Sequence, residues 1–77
     1  MEQLNFNPNI YDTIRRNIKK YRKERKMTAA ALSELVDISH DFMRQIESEK
    51  TAYNFSVNTL YKISVALDVS LDDLIRE

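Results

Sequence analysis

Residues 28–46 read TAAALSELVDISHDFMRQI, and this stretch restricts the fold of the chain more than any other. Apolar residues recur at helical spacing before and after residues 37–39, which predicts two short helices that each have one apolar face. The apolar residues are Leu32, Leu35 and Val36 before residues 37–39 and Met43 and Ile46 after them, and the apolar Ile38 lies within the connection itself. Because so short a connection makes the two faces cross steeply, the pattern predicts a helix-turn-helix.

The second helix of this pair presents polar side chains on the side opposite Met43 and Ile46. They are His40, Asp41, Arg44 and Gln45. All four can donate or accept hydrogen bonds, so the pattern favours contacts with base edges in a DNA major groove. Two of them also have an ordinary interpretation: Arg44 can contact phosphate or pair with Asp41, and His40 can be a plain surface residue.

The first helix is predicted to run from about Pro8 or Ile10 to Lys26. Asn7 followed by Pro8 is typical of a helix start, with asparagine as the N-cap and proline in the first helical position. The apolar stripe of this helix is Ile14, Ile18 and Tyr21. Residues 1–9 are predicted to form a loose N-terminal arm.

Hydroxyl side chains mark the starts of the other helices, at Thr28, Ser39, Ser56 and Ser70. The fourth helix is predicted to face inward with Val57, Leu60, Ile63, Val65 or Ala66, and Leu67. Ser70 caps a last helix over residues 71–76, and Asp73 completes a capping box. The chain has no glycine, so the helices are predicted to end at Asp37, Glu49 and Asp68 instead. The sequence therefore predicts an all-α domain of five helices over residues 10–77, with the helix-turn-helix at about 28–48.

The net charge of zero hides an uneven distribution of charge. Residues 15–27 hold eight lysines and arginines against Glu24 alone, which is typical either of a phosphate-facing surface or of a solvated helix face. Residues 28–55 carry a net charge of −3. The basic helix therefore precedes an acidic helix-turn-helix.

The composition argues against several classes of protein. There is no cysteine and only one histidine, so a disulfide, a thiolate nucleophile or a structural zinc site is not expected. No glycine-rich phosphate loop or catalytic triad pattern is present, and we predict neither an enzyme nor a bound cofactor. No apolar run is long enough to cross a membrane and no signal segment is evident, so we expect a cytoplasmic protein.

Four segments resemble the lambda-repressor/Cro-like (Xre-type) helix-turn-helix DNA-binding family: IKKYRKERKMT, ALSELVDIS, MRQIE and TLYKISVALDVSLDDLI. The similarity extends over about residues 14–75. It implies a compact five-helix domain that inserts its third helix into the major groove and binds two half-sites as a dimer.

The resemblance also implies roles for individual residues. The base-contacting positions are His40, Asp41, Arg44 and Gln45, and the phosphate-contacting set is Thr28, Ala29, Ser39, Lys50, Thr51, Tyr53 and Asn54. Arg22 and Glu47 occupy the positions of a structural ion pair. The chain departs from the family pattern in three places. Ala29 replaces a glutamine that grips DNA, Asp37 replaces the turn glycine, and the loop after the third helix is longer.

These features predict a sequence-specific transcriptional regulator, a dimeric repressor that binds double-stranded DNA. The alternative is a protein-interaction module on the same fold, similar to an antitoxin or antirepressor, with weak or no DNA binding. The acidic helix-turn-helix and the missing glutamine at position 29 support the alternative. A regulatory protein partner is compatible with both predictions.

Overall fold

The computed structural model describes residues 4–48 and 55–77. These residues form five helices and no strand, so the predicted all-α fold is confirmed. The helices are α1 (Ile10–Glu24), α2 (Ala29–Leu35), α3 (His40–Glu47), α4 (Val57–Leu67) and α5 (Leu71–Ile75). Val36 and Ser39 flank the tight connection between α2 and α3 as C-cap and N-cap, which gives the predicted helix-turn-helix.

Every helix contributes to one hydrophobic core. The completely buried large side chains are Ile18, Leu32, Met43, Ile46, Ile63, Leu67 and Leu74. The partly buried Ile38, in the connection between α2 and α3, packs against this cluster, as predicted. Burial of this apolar surface is the main favourable contribution to folding, and it sets the rotation of each helix about its axis.

Three apolar residues predicted to face inward are exposed instead: Leu35 (63%), Val57 (76%) and Val65 (61%). On α2, Leu32 and Val36 are four residues apart and take the inward positions, which leaves Leu35 at the edge of the apolar face. On α4, Val65 is two residues, or about 200° of helical rotation, from the buried Ile63. Ala66, the alternative to Val65, packs against the core.

The first helix begins later than the Asn7 cap predicted. Its N-cap is Asn9, which makes no side-chain capping bond. The Asn7 side chain instead accepts the backbone N–H of Asn9 (2.9 Å) and donates to the hydroxyl of Thr13 (2.8 Å). Asn7 therefore closes a turn that contains Pro8, and the alternative start at Ile10 is correct.

Four hydroxyl caps are confirmed, and two aspartates end helices as predicted. Thr28, Ser39, Ser56 and Ser70 each accept a backbone N–H from the first turn of their helix. Asp37 and Asp68 adopt left-handed conformations, with φ of 57° and 56°. Lys26 does so as well (φ 55°), which ends α1 at Glu24 rather than at Lys26. Glu49 lies outside the described residues.

The capping box of α5 makes stability sensitive to acid. The backbone N–H of Ser70 donates to the Asp73 carboxylate (3.0 Å), and this bond, followed by the Ser70 hydroxyl, holds the pKa of Asp73 below 3.8. Because the folded-state pKa is lowered, the contribution is present above pH 3.8 and is lost as the pH falls through the folded-state pKa. Asp73→Asn should therefore reduce the drop in melting temperature between pH 6 and pH 3. Asp68→Asn is the control, and equal drops in the Asp73→Asn variant and the wild-type protein would contradict the prediction.

Candidate nucleic-acid interface

One side of the helix α3 packs against the core, and most of the opposite side is exposed to solvent. Met43 and Ile46 are completely buried, whereas His40, Asp41 and Arg44 are exposed. Gln45, the fourth residue of the predicted base-contacting set, is half-buried. The structure thus brings the four side chains together on one helix, and three of them stand fully outward.

Arg44 lies near one acidic neighbour. Its guanidinium is 3.9 Å from the carboxylate of Asp41, and both side chains are highly exposed. Surface pairs of this kind are worth about 0–1 kcal/mol, because water screens them and both side chains lose freedom. The pair is therefore weak enough for Arg44 to exchange Asp41 for a ligand.

The N-termini of α2 and α3 carry three residues of the predicted phosphate-contacting set. Thr28 accepts the N–H of Ala31 (3.0 Å), and Ser39 accepts the N–H of Phe42 (3.0 Å). Ala29 packs against the core and offers no side-chain donor. Helix N-termini attract anions through their remaining N–H groups. The other four members, Lys50, Thr51, Tyr53 and Asn54, lie outside the described residues.

Arg22 and Glu47 form a two-pronged ion pair between α1 and the end of α3. The Nε of Arg22 lies 2.7 Å from Oε2 of Glu47, and its Nη2 lies 2.9 Å from Oε1. The remaining Nη1 donates to the carbonyl of Met27 at 2.8 Å. The two side chains are only 12% and 9% exposed. The pair therefore fixes α3 against α1 and uses both carboxylate oxygens of Glu47.

A second arginine, Arg15, holds the same end of α3 and was not predicted from the sequence. It is 3% exposed, and its Nη1 donates to the carbonyls of Gln45 (3.1 Å) and Ser48 (2.5 Å). Its guanidinium lies 5.9 Å from the ring centroid of Phe55. Arg15 precedes Arg22 by seven residues, or two helical turns, and this spacing was the available signal that both arginines share one side of α1.

The part of the chain that the structure describes contains neither a metal-binding group nor a membrane-spanning helix. Residues 4–48 and 55–77 contain no group of three or more histidine, cysteine, aspartate or glutamate residues able to hold a metal ion. None of the described helices is long and apolar enough to cross a membrane.

The described fold and the exposed polar face of α3 define a helix-turn-helix domain. The chain belongs to the Cro/C1-type HTH DNA-binding domain family, whose sequence profile matches residues 17–76. This finding confirms the resemblance to the lambda-repressor/Cro-like family, which is a class of DNA-binding domains and not of enzymes.

Similar proteins include a phage immunity repressor and the SinR protein. The immunity repressor protein of Bacillus phage phi105 is 34% identical over 65 residues, which cover 84% of this chain and 44% of the relative. A chain of the SinR protein/SinI protein complex matches 83% of this chain and 61% of its own length, with a TM-score of 0.75 and 34% identity. SinR, the master regulator for biofilm formation, in complex with DNA matches 79% of this chain and 95% of its own, with a TM-score of 0.72 and 34% identity. The chain thus spans less than half of the phage repressor.

Proposed function

We propose that this chain is a sequence-specific DNA-binding repressor that acts as a dimer in the cytoplasm and reads the major groove with α3. The observation that carries the proposal is the orientation of α3: Met43 and Ile46 are completely buried, and three of the four polar residues opposite them are exposed. The membership in a DNA-binding family and the likeness to SinR in complex with DNA support the same function.

Arg44 is the main candidate for base recognition. Arginine forms a two-pronged hydrogen bond with O6 and N7 of guanine, which is worth about 1–3 kcal/mol of discrimination. Gln45 can pair with adenine, Asp41 can accept from N4 of cytosine, and His40 lies where α3 enters the groove. Asp41 repels phosphate, so it suits a position over a base rather than over the backbone.

The backbone contacts of the proposal are those of the predicted phosphate set. The N-termini of α2 and α3 supply Thr28, Ala29 and Ser39, and the segment after α3 supplies Lys50, Thr51, Tyr53 and Asn54. A dimer would place two copies of α3 about 34 Å apart, one helical turn of DNA, and would read a two-fold symmetric site.

Selection of bound duplexes from a random pool tests this function. We expect the wild-type protein to select a symmetric motif and Arg44→Ala to lose a G·C preference at one position in each half-site. Lys62→Ala, which removes an exposed cation on α4, is the matched control and should select the unchanged motif. An Arg44→Ala variant that selects the wild-type motif would show that Arg44 does not read a base.

The second candidate function is binding of a regulatory protein without DNA. The solved complex of the similar SinR protein with SinI protein favours it, as does the net negative charge of the helix-turn-helix. DNA affinity measured over a salt series separates the two functions, because phosphate contacts weaken steeply as salt increases. If no duplex, selected or random, binds at low salt, the protein-binding function is favoured over the DNA-binding one.

A further inference from the structure

A groove of about 600 Å³ runs between α1 and the C-terminal end of α3. Its lining is strongly basic and consists of Arg15, Arg16, Lys19, Lys20, Lys23, Glu47 and Ser48. We name this surface the α1 groove. The three lysines are exposed. Lys23 follows Lys19 by four residues and Lys20 by three, so the three side chains occupy one face of the helix.

The positive charge of the α1 groove is not cancelled by the acidic residue beside it. Both carboxylate oxygens of Glu47 are bound by Arg22. Among the described residues, 4–48 and 55–77, Lys19, Lys20 and Lys23 form no ion pair. Lys20 lies 5.2 Å from the ring centroid of Tyr21, a contact that leaves its charge intact. The groove therefore attracts anions.

The helix-turn-helix itself has the opposite sign. The described residues 28–48 contain four carboxylates and one basic residue, Arg44, which gives this segment a net charge of −3. The carboxylates are Glu34, Asp37, Asp41 and Glu47. Because DNA affinity without regard to sequence comes from neutralised phosphates, these residues alone supply little of it.

The α1 groove is continuous with the outer face of α3. Lys19, Glu47 and Ser48 line both the groove and a neighbouring depression that includes Asp41, Arg44 and Gln45. A helix is about 10–12 Å wide and the major groove about 12 Å, so DNA that accepts α3 brings its phosphate strands against whatever flanks that helix. On this flank of α3, Lys19 is the first cation of the α1 groove.

We infer that the α1 groove binds the phosphodiester backbone beside the bases read by α3, and that it supplies most of the electrostatic affinity for DNA. The inference rests on the proposed function. It divides the two tasks between helices: α3 selects the sequence, whereas Lys19, Lys20 and Lys23 hold the strand.

The test is a triple variant, Lys19→Gln, Lys20→Gln and Lys23→Gln, whose fold is checked by circular dichroism and thermal melting. Affinity for the selected duplex and for a random duplex is measured from 0.05 to 0.3 M salt. Each lost phosphate contact lowers the slope of log affinity against log salt by about 0.9, so the slope should fall by about 2–3 for both duplexes. The selected motif should stay the same.

The matched control also removes three positive charges, but outside the α1 groove: Arg25→Gln, Lys62→Gln and Arg76→Gln. We expect a smaller change of slope in the control than in the groove variant. Equal changes in both variants, or an unchanged slope in the groove variant, would overturn the inference and leave the proposed function standing. If the wild-type protein binds no duplex at low salt, the proposed function itself fails.

Discussion

Glu47→Ala should destabilise the domain by about 3–5 kcal/mol, because it leaves the guanidinium of Arg22 without its carboxylate in a nearly buried position. A domain of this size has a total stability on the order of 4–12 kcal/mol, so the loss is a large part of the whole. Each kcal/mol lowers the melting temperature by about 4–8 °C, and the variant should therefore melt at least ~12 °C below the wild-type protein. Thermal and urea denaturation both measure this effect.

Two comparisons separate the ion pair from other causes. Glu34→Ala removes an exposed glutamate from α2 and should change stability by less than ~0.5 kcal/mol. The double variant Arg22→Met and Glu47→Leu removes both charges, and it should be more stable than Glu47→Ala because no unpaired charge remains. An unchanged melting temperature in Glu47→Ala would show that the pair contributes nothing to folding.

The ion pair also bears on DNA recognition, since it holds the helix that carries the polar face. Glu47 belongs to α3, and its two bonds with Arg22 fix the end of that helix against α1. We therefore expect the residual folded Glu47→Ala protein to select the same DNA motif with lower affinity. Loss of stability and loss of sequence preference are thus distinguishable in this variant.

The order and type of the helices followed from local rules in the sequence. Hydroxyl residues at four helix starts and aspartates at two helix ends act on the backbone within a few residues, so their effect does not depend on the rest of the fold. Asn7 is not the N-cap of α1, because its side chain makes two other local bonds, accepting the N–H of Asn9 and donating to the hydroxyl of Thr13. Element boundaries depend on such competition.

The rotation of the short helices was harder to predict. A helix of two turns, such as α2, offers few apolar residues from which to read a periodicity, and Leu35 and Val36 were both compatible with the inward face. Packing of α2 against α3 and α4 decides which of the two side chains is buried, and this packing cannot be read from the sequence of α2. The same limit applies to Val65 and Ala66 on α4, where only the latter packs against the core.

In the candidate site, the polar face of α3 was predictable and the support behind it only in part. The alternation of polar residues with Met43 and Ile46 follows from helical geometry alone. The buried Arg15 was not predicted, because its acceptors are backbone carbonyls at residues 45 and 48 and backbone groups leave no mark in the sequence. The pair of Arg22 and Glu47 was implied by the resemblance to the lambda-repressor/Cro-like family and not by the charges of the two residues alone.

Arg15 and Arg22 together make α1 the support of α3. Arg22 binds a side chain near the end of α3, and Arg15 donates to the carbonyls of Gln45 and Ser48 at the same end. A positive charge at a helix C-terminus is also favoured by the helix dipole. Because both arginines and the three lysines of the α1 groove lie on α1, the same helix positions α3 and carries the lysines proposed to hold the DNA strand.

Arg15→Met should destabilise the domain by about 1.5–3 kcal/mol, although methionine is apolar and of similar length. The reason is that the two carbonyls lose a charged donor, and hydrogen bonds to charged groups contribute about that much. Arg15→Lys keeps the charge at the end of α3 but lacks the planar group with several donors, so its loss of stability should be intermediate.

Lys19→Met, an exposed position on the same helix, is the control for the change to methionine. Urea denaturation of the three variants and the wild-type protein measures the order. If Arg15→Met were as stable as Lys19→Met, the hydrogen bonds from Arg15 to the carbonyls of Gln45 and Ser48 would contribute nothing to the stability of the domain.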